Sequence, residues 1–284
     1  MNTLEVKGLE KKYKDFSLQN ITLELPKGFI CGYVGQNGAG KTTTLDLITH
    51  QKKADAGVVR IDGMEYEENP KKYKEMIGYV CDKCYFPNDF TLLDVKGILK
   101  DFYETFQEDK FMNLCKKWDL PEKKKVKDYS RGMTIRLMFA GILARDTKLL
   151  ILDEATNGLD PVVKQEILEI LQDYIQDGER SVLFSTHILS DLEEIADYIF
   201  FLHNGKEVFF DTKEEIAEKY LLVKGGLDEL TEAVSRKIKG LKKTSVGFEG
   251  IIETDDSVCV SRKCVLEKPT INQIVISYIK DMEG

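Results

Sequence analysis

Residues 29–50 read FICGYVGQNGAGKTTTLDLITH and combine three patterns in one short segment. A short apolar run with β-branched and aromatic residues comes first, as is typical of a buried strand. A glycine-rich turn follows, and a helical pattern comes after it. The turn, GQNGAGKT (35–42), has the spacing Gly-x4-Gly-Lys-Thr and lies between strand and helix, where a phosphate-binding loop must lie. The segment therefore predicts an α/β fold that binds a nucleoside triphosphate.

Each residue type in this loop has a physical reason. Glycines let the backbone curl so that successive N–H groups point at phosphate oxygens, and the N-terminus of the next helix adds positive potential. We expect Lys41 to reach the β- and γ-phosphates and the Thr42 hydroxyl to hold Mg²⁺. The other contacts predicted from this loop to the nucleotide are Gly35, Asn37, Gly38, Ala39, Gly40 and Thr43.

Two further apolar runs end in side chains that can act on a phosphate. LLILDE (149–154) delivers Asp153, a predicted Mg²⁺ ligand, and Glu154, a predicted general base, to the carboxyl end of a strand, where ligands bind in parallel sheets. Alone, this run could equally be a strand that ends in solvated acids. SVLFSTH (181–187) delivers His187 to a similar position, from which it could contact the γ-phosphate, although a lone histidine after a strand is more often structural.

The rest of the chain suggests two units. Strand-like runs that alternate with helical stretches favour a mostly parallel sheet covered on both faces, and VVRID (58–62) and IGYV (77–80) are interpreted as further buried strands. Residues 88–145 carry helical patterns only, which predicts a helical insertion. We expect an ATPase domain over 1–222 and a small α+β appendage over 223–284.

Composition narrows the classes of partner. The net charge of −8 is unfavourable for binding nucleic-acid phosphates, so no nucleic-acid partner is expected. The sequence contains no apolar run of membrane-spanning length, and its charged first residues do not resemble a signal peptide, so we expect a cytoplasmic protein. Among the six cysteines only CDKC (81–84) has motif spacing. A redox or metal role for Cys81 and Cys84 stays open beside the favoured reading as reduced, structural thiols.

The set of motifs resembles that of the ATP-binding-cassette (ABC) ATPases, in the same order and over about residues 1–220. NGLDP (157–161), which contains Asp160, is similar to the dimer-contact loop of that family and is expected to contribute to the nucleotide site. YSRGM (129–133) stands at the position of the family's signature. The resemblance implies that Ser130 and Gly132 cap, in trans, the γ-phosphate of ATP held by the opposite subunit.

The sequence departs from the family at several of these positions. Tyr129, Arg131 and Met133 replace the usual signature residues, so the signature either works through its serine, its glycine and the following helix N-terminus, or is weakened and needs an intact partner. Asp82 stands where the family has a magnesium-sensing glutamine. It is predicted as a metal-side ligand, with an ordinary loop acid as the alternative.

Adenine requires an aromatic face, and EKKYKDF (10–16) offers Tyr13 and Phe16. Family placement favours Tyr13 as the stacking residue. The alternative is a tyrosine packed on the surface. In both interpretations, we expect Tyr13 and Phe16 to lie just before the first β-hairpin.

The resemblance implies a P-loop ABC-type nucleotide-binding domain, with an antiparallel β subdomain in a mixed sheet, a helical insertion and a small C-terminal α+β appendage. It further implies an ATP- and Mg²⁺-dependent motor subunit of a bacterial exporter of drugs, antibiotic peptides or similar amphipathic substrates. Such a subunit works with a second ATPase subunit, identical or not, at the cytoplasmic face of the membrane, where a separate multi-span protein holds it. The alternative is a soluble regulatory or immunity-type ATPase without a transport channel.

Overall fold

The computed structural model describes residues 1–283 as two packed units. The strands are β1 (Asn2–Lys12), β2 (Ser17–Pro26), β3 (Ile30–Val34), β4 (Ala56–Ile61), β5 (Met64–Glu65), β6 (Ile77–Cys81), β7 (Leu149–Asp153), β8 (Ser181–Ser185), β9 (Tyr198–His203), β10 (Lys206–Thr212), β11 (Tyr220–Gly225), β12 (Lys239–Lys243), β13 (Phe248–Glu253) and β14 (Val265–Glu267). The helices are α1 (Lys41–Ile48), α2 (Pro70–Glu75), α3 (Leu92–Phe102), α4 (Glu108–Lys117), α5 (Arg131–Leu143), α6 (Pro161–Ile175), α7 (Leu189–Ile195), α8 (Lys213–Lys219), α9 (Glu232–Lys237) and α10 (Ile271–Glu283).

A parallel sheet with the strand order β9-β3-β8-β7-β6 forms the centre of the ATPase domain. These strands are almost entirely buried, which explains why they appear in the sequence as continuous apolar runs. The register pairs Cys81 with Asp153 and Asp153 with Ser185. The carboxyl ends of β6, β7 and β8 therefore lie side by side, next to the loop that follows β3.

An antiparallel group, β5-β4-β1-β2, extends this sheet through a single pair between β2 and β10. The interpretation of VVRID as a buried strand of the parallel sheet is wrong: β4 pairs antiparallel with β1 and is exposed or only half-buried along most of its length. A short run of β-branched residues specifies a strand but not its partners, because pairing is a long-range property. The resemblance nevertheless anticipated the antiparallel subdomain, and the mixed sheet is confirmed.

The helical insertion is confirmed. Between β6 and β7 the described chain forms α3, α4, a short 3-10 helix and α5, with no strand longer than an isolated bridge. Thr91 and Asp94 form a capping box that fixes the start of α3. Helix α5 is buried along Leu137–Ile142, so the insertion packs on the parallel sheet through this helix.

A tight turn joins β9 and β10. Asn204 and Gly205 both have positive φ, at 46° and 74°, as a two-residue hairpin of the primed type requires. A Cβ on Gly205 would lie 2.0 Å from the carbonyl oxygen of Ser17, so only glycine fits. Helix α7 ends at Ile195, and the chain enters β9 at Tyr198.

The C-terminal unit is an antiparallel sheet, β12-β13-β11-β14, covered by α9 and α10, in agreement with the α+β prediction. One face has a small core of its own, while Tyr220, Leu222 and Ile274 join the core of the ATPase domain. Strand β11 runs through the boundary expected between 222 and 223, so we propose that this unit begins near Tyr220. None of the helices within residues 1–283 is both long and apolar enough to cross a bilayer.

Candidate functional site

The glycine-rich loop lies between β3 and α1 as the sequence predicts. Gly38 and Gly40 have φ values of 84° and 111°, which side chains rarely tolerate, and a Cβ on Gly35 would lie 2.6 Å from the Leu202 carbonyl oxygen. Helix α1 makes its first internal bond from the Thr44 N–H to the Gly40 carbonyl at 2.9 Å. The preceding N–H groups of the first turn have no intrahelical acceptor and can bind phosphate.

Lys41 is only 5% exposed and folds back over this loop. Its Nζ donates to the carbonyl oxygens of Gly35 at 2.6 Å and Gln36 at 3.3 Å, and it lies 3.5 Å from Oε1 of Glu154. The loop borders a cavity of about 210 Å³. Its lining residues are Phe16, Gln36, Asn37, Gly38, Gly40, Lys41, Thr42, Thr43 and Glu154.

Asp153 has the geometry expected of a metal ligand. Oδ2 of its carboxylate accepts bonds from Thr42 Oγ1 at 3.4 Å and from the Tyr79 hydroxyl at 3.2 Å. Oδ1 is buried without a partner in the described residues. Burial raises the pKa of Asp153 above its usual value, the Tyr79 bond lowers that pKa, and the neighbouring Glu154 carboxylate raises it again.

The residues around Asp153 therefore fit Mg²⁺. A divalent cation would satisfy the unpartnered oxygen and favour the charged form of the carboxylate. Tyr79 was missed from the sequence. It lies in the strand IGYV, and no local pattern indicates that it reaches the next strand's carboxylate.

Glu154 is at the centre of the arrangement. Its φ of 52° is unusual for a residue with a side chain and places it just past the end of β7. Its N–H donates to the Ser185 carbonyl at 2.9 Å, which holds this turn against β8. Its carboxylate lies 3.2 Å from His187 Nδ1, so the two predicted catalytic side chains are brought together. His187 is 51% exposed and can approach a bound ligand.

Asn157 completes this group and was not predicted as a site residue. Its Nδ2 donates to Glu154 Oε2 at 2.7 Å and lies 3.3 Å from His187 Nδ1. Its Oδ1 is buried and has no partner among the described residues. The only sequence signal was its place at the start of NGLDP, three residues after the glutamate.

Asp160, in the same loop, caps a helix in the single chain. Its Oδ1 accepts from the N–H groups of Val162 at 3.1 Å and Val163 at 3.0 Å, so the side chain caps α6. The contribution of Asp160 to the nucleotide site stays a prediction.

The signature segment YSRGM also begins a helix. Ser130 caps α5 by accepting from the Met133 N–H at 3.3 Å. Tyr129 is buried, and its hydroxyl donates to the Pro121 carbonyl at 2.7 Å. Its ring therefore packs in the core as an apolar side chain would, with its polar atom hydrogen-bonded. A Cβ on Gly132 would lie 3.5 Å from Val163, so the starts of α5 and α6 are neighbours.

Asp82 forms an ion pair with Arg131 of the signature. The register places the residue before it, Cys81, beside Asp153. Asp82 therefore follows the edge of the sheet at which Asp153 lies, and its carboxylate is paired with the Arg131 guanidinium. Its role as a metal-side ligand stays a prediction.

The two aromatic candidates lie in the turn between β1 and β2, so the expectation that they precede the first hairpin is wrong. Tyr13 is 42% exposed, and Lys52 Nζ lies 5.8 Å from its ring centroid. Phe16 is 6.3 Å from Tyr13, centroid to centroid, and lines the phosphate-loop cavity, which Tyr13 does not. Phe16 is therefore a stronger candidate for contact with the nucleotide than the sequence suggested.

The CDKC segment shows no sign of special reactivity. Burial raises the pKa of the Cys81 and Cys84 thiols, which disfavours the reactive thiolate. Cys81 Sγ donates to the Lys83 carbonyl at 3.0 Å. Within residues 1–283 all six cysteines are unpaired, and no cluster of three or more histidine, cysteine or acidic side chains is arranged to hold a metal.

Comparison with known proteins identifies related chains of one family. The profile of the family described as ABC transporter matches residues 18–157. The chain is 33% identical to the lantibiotic transport ATP-binding protein SrtF of Streptococcus pyogenes, over 76% of this chain and 95% of that protein. It is 34% identical to the bacitracin transport ATP-binding protein BcrA of Enterococcus faecalis, over 71% of this chain and 67% of that protein.

A solved ATP-binding subunit of an ABC transporter has a similar fold. It superposes with a TM-score of 0.69 and 26% identity, over 75% of this chain and 91% of that one. The motifs, the fold and these relatives agree, and the chain belongs to the ATP-binding subunits of ABC transporters, a family of ATPases.

Proposed function

We propose that this chain is the ATP-hydrolysing motor of a bacterial ABC exporter, and that its active form is a dimer closed around two ATP molecules. ABC ATPases dimerise and work with membrane subunits. The observation that carries the proposal is the convergence of Lys41, Asp153 and Glu154 at one sheet edge, within reach of His187. This is the set needed to bind a triphosphate and to activate water against it.

Each residue of the site has its own role in the proposed hydrolysis of ATP. Lys41 exchanges its loop carbonyls and Glu154 for the β- and γ-phosphates, which frees the Glu154 carboxylate. Glu154 then accepts a proton from the attacking water, while Asn157 and His187 fix its orientation. Mg²⁺, held by Thr42 and Asp153, would neutralise phosphate charge.

The second subunit supplies the other side of the site. In the proposed dimer the Ser130 hydroxyl and the free N–H groups at the start of α5 approach the γ-phosphate of the partner's ATP. Within its own chain the Ser130 hydroxyl accepts from the Met133 N–H at 3.3 Å, so its own proton can be donated to a phosphate oxygen. The site is thus incomplete in one chain.

The proposed cargo is an antibiotic peptide or a similar amphipathic molecule. This part rests on the relatives, which are named for lantibiotic and bacitracin transport. We place the subunit at the cytoplasmic face of the membrane, held there by a separate multi-span protein that forms the channel.

Purification from the native host tests the proposal. Tagged Glu154→Gln protein is extracted from detergent-solubilised membranes with ATP and Mg²⁺, and its companions are identified. We expect a multi-span membrane protein in stoichiometric amount. The matched control is the Lys41→Ala/Glu154→Gln protein, whose companions should not change when ATP is added. A clean soluble dimer with no apolar companion would contradict the transport function.

A further inference from the structure

Arg131 and Asp82 form a contact that neither the capping of α5 nor the core requires. The start of α5 is already fixed by the Ser130 cap and by buried Tyr129. The two charged side chains are 38% and 50% exposed, so their pair lies at the surface. A pair of this kind is weak and exchanges readily for a better partner.

The pair nevertheless joins two functional parts of the chain. Arg131 is the first residue of α5, directly after Ser130, and its guanidinium lies at the positive end of that helix. Asp82 follows Cys81, which pairs in register with the metal-binding Asp153. The contact therefore links the signature to the edge of the sheet where the chain holds its own nucleotide.

The chemistry of the pair indicates a third partner. A guanidinium presents a planar fork of donors that matches phosphate oxygens as well as it matches a carboxylate. A triphosphate carries more charge than one carboxylate and would compete successfully for this fork. In the single chain the Asp82 carboxylate thus takes the place that a phosphate would have on the Arg131 guanidinium.

We propose that Arg131 is an additional phosphate-binding residue of the signature, held by Asp82 in the single chain and transferred to the partner's ATP when the dimer closes. The inference rests on the proposed ATP-bound dimer. It gives the two unusual residues opposite effects: Arg131 strengthens closure, and Asp82 restrains it by competing for the same guanidinium.

The test measures ATP-dependent dimerisation by sedimentation in the Glu154→Gln background. Arg131→Gln should weaken the dimer by roughly tenfold for each of its two sites, so by about 100-fold overall. Asp82→Asn should strengthen the dimer. In the double variant the Asp82 change should have no effect, because there is no guanidinium left to release. Arg131→Lys, which keeps the charge and loses the fork, should lie between Arg131→Gln and the parent.

A matched control comes from the exposed pair Arg236–Glu232 on α9. Arg236→Gln should leave the dimer unchanged. Thermal melting of each variant checks that it is folded, and binding of labelled ATP to dilute single chains should be the same in all.

The possible failures are distinguishable. If the Glu154→Gln parent does not dimerise with ATP, the proposed function fails. If the parent dimerises but Arg131→Gln dimerises equally well, or Asp82→Asn acts equally in both backgrounds, the inference about this pair is wrong.

Discussion

Asp153→Asn should abolish hydrolysis and yet stabilise the protein in the absence of Mg²⁺. Burial and the charge of Glu154, the next residue, raise the pKa of this carboxylate, so its charged form is held at a cost that a neutral amide avoids. The side chain is only partly buried, so solvent screening keeps the gain from the amide to about 1 kcal/mol. For a chain of this size that is an increase in Tm of about 2 °C.

The raised pKa of Asp153 also predicts how the stability gain of the variant depends on pH. The pKa of Asp153 is raised in the folded state, so the native protein holds this proton more tightly than the unfolded chain does. The free-energy cost of the charged Asp153 carboxylate to folding is absent below pH 3.8, the ordinary pKa of an aspartate. This cost grows as the pH rises through the raised pKa and is complete above it. The stability difference between the variant and the parent should therefore appear at neutral pH and disappear in acid.

Thermal melting with and without Mg²⁺ and ATP is the assay. Asp191 gives a matched control, because it is buried but paired with Lys164. Asp191→Asn should lower Tm, since it leaves a charge without its partner. If Asp153→Asn melts below the parent without Mg²⁺, the argument that this carboxylate is held at a cost for metal binding is refuted.

Asn157→Ala should lower kcat by about tenfold with little change in KM, because it removes a 2.7 Å bond to Glu154; an unchanged kcat in steady-state assays would show that Asn157 does not orient the base. Tyr79→Phe should raise the Mg²⁺ concentration needed for half-maximal activity by roughly threefold to tenfold, since Asp153, the proposed metal ligand, loses a donor at 3.2 Å; a metal titration that superposes on the parent's would exclude this role. Gly205→Ala should destabilise the protein by about 2–4 kcal/mol in urea denaturation, because its Cβ would lie 2.0 Å from the Ser17 carbonyl oxygen; a loss below about 1 kcal/mol would mean that the hairpin relaxes freely.

The sequence predicts where these side chains lie when the signal comes from neighbouring residues. The phosphate loop, Asp153, Glu154 and His187 each lie at or just after the carboxyl end of a buried strand, and parallel strands bring these ends together. Helical periodicity likewise predicted the insertion. These patterns are local, so a single sequence is enough to identify them.

Contacts between distant segments could not be predicted in the same way. Tyr79 reaches Asp153 from the neighbouring strand, and Asp82 meets Arg131 from the other end of the helical insertion. The apolar pattern of VVRID is that of a buried parallel strand, although β4 pairs antiparallel with β1 and lies outside the parallel part of the sheet. Each depends on strand order and packing, which residue type and spacing do not encode.

The dependence of dimerisation on ATP tests the central claim most directly. Sedimentation of the Glu154→Gln protein, with and without ATP and Mg²⁺, should give single chains without nucleotide and a stable dimer with it. The Lys41→Ala/Glu154→Gln protein should stay monomeric in both. Single chains that persist with saturating ATP at high protein concentration would contradict the claim that two copies of this chain close around ATP.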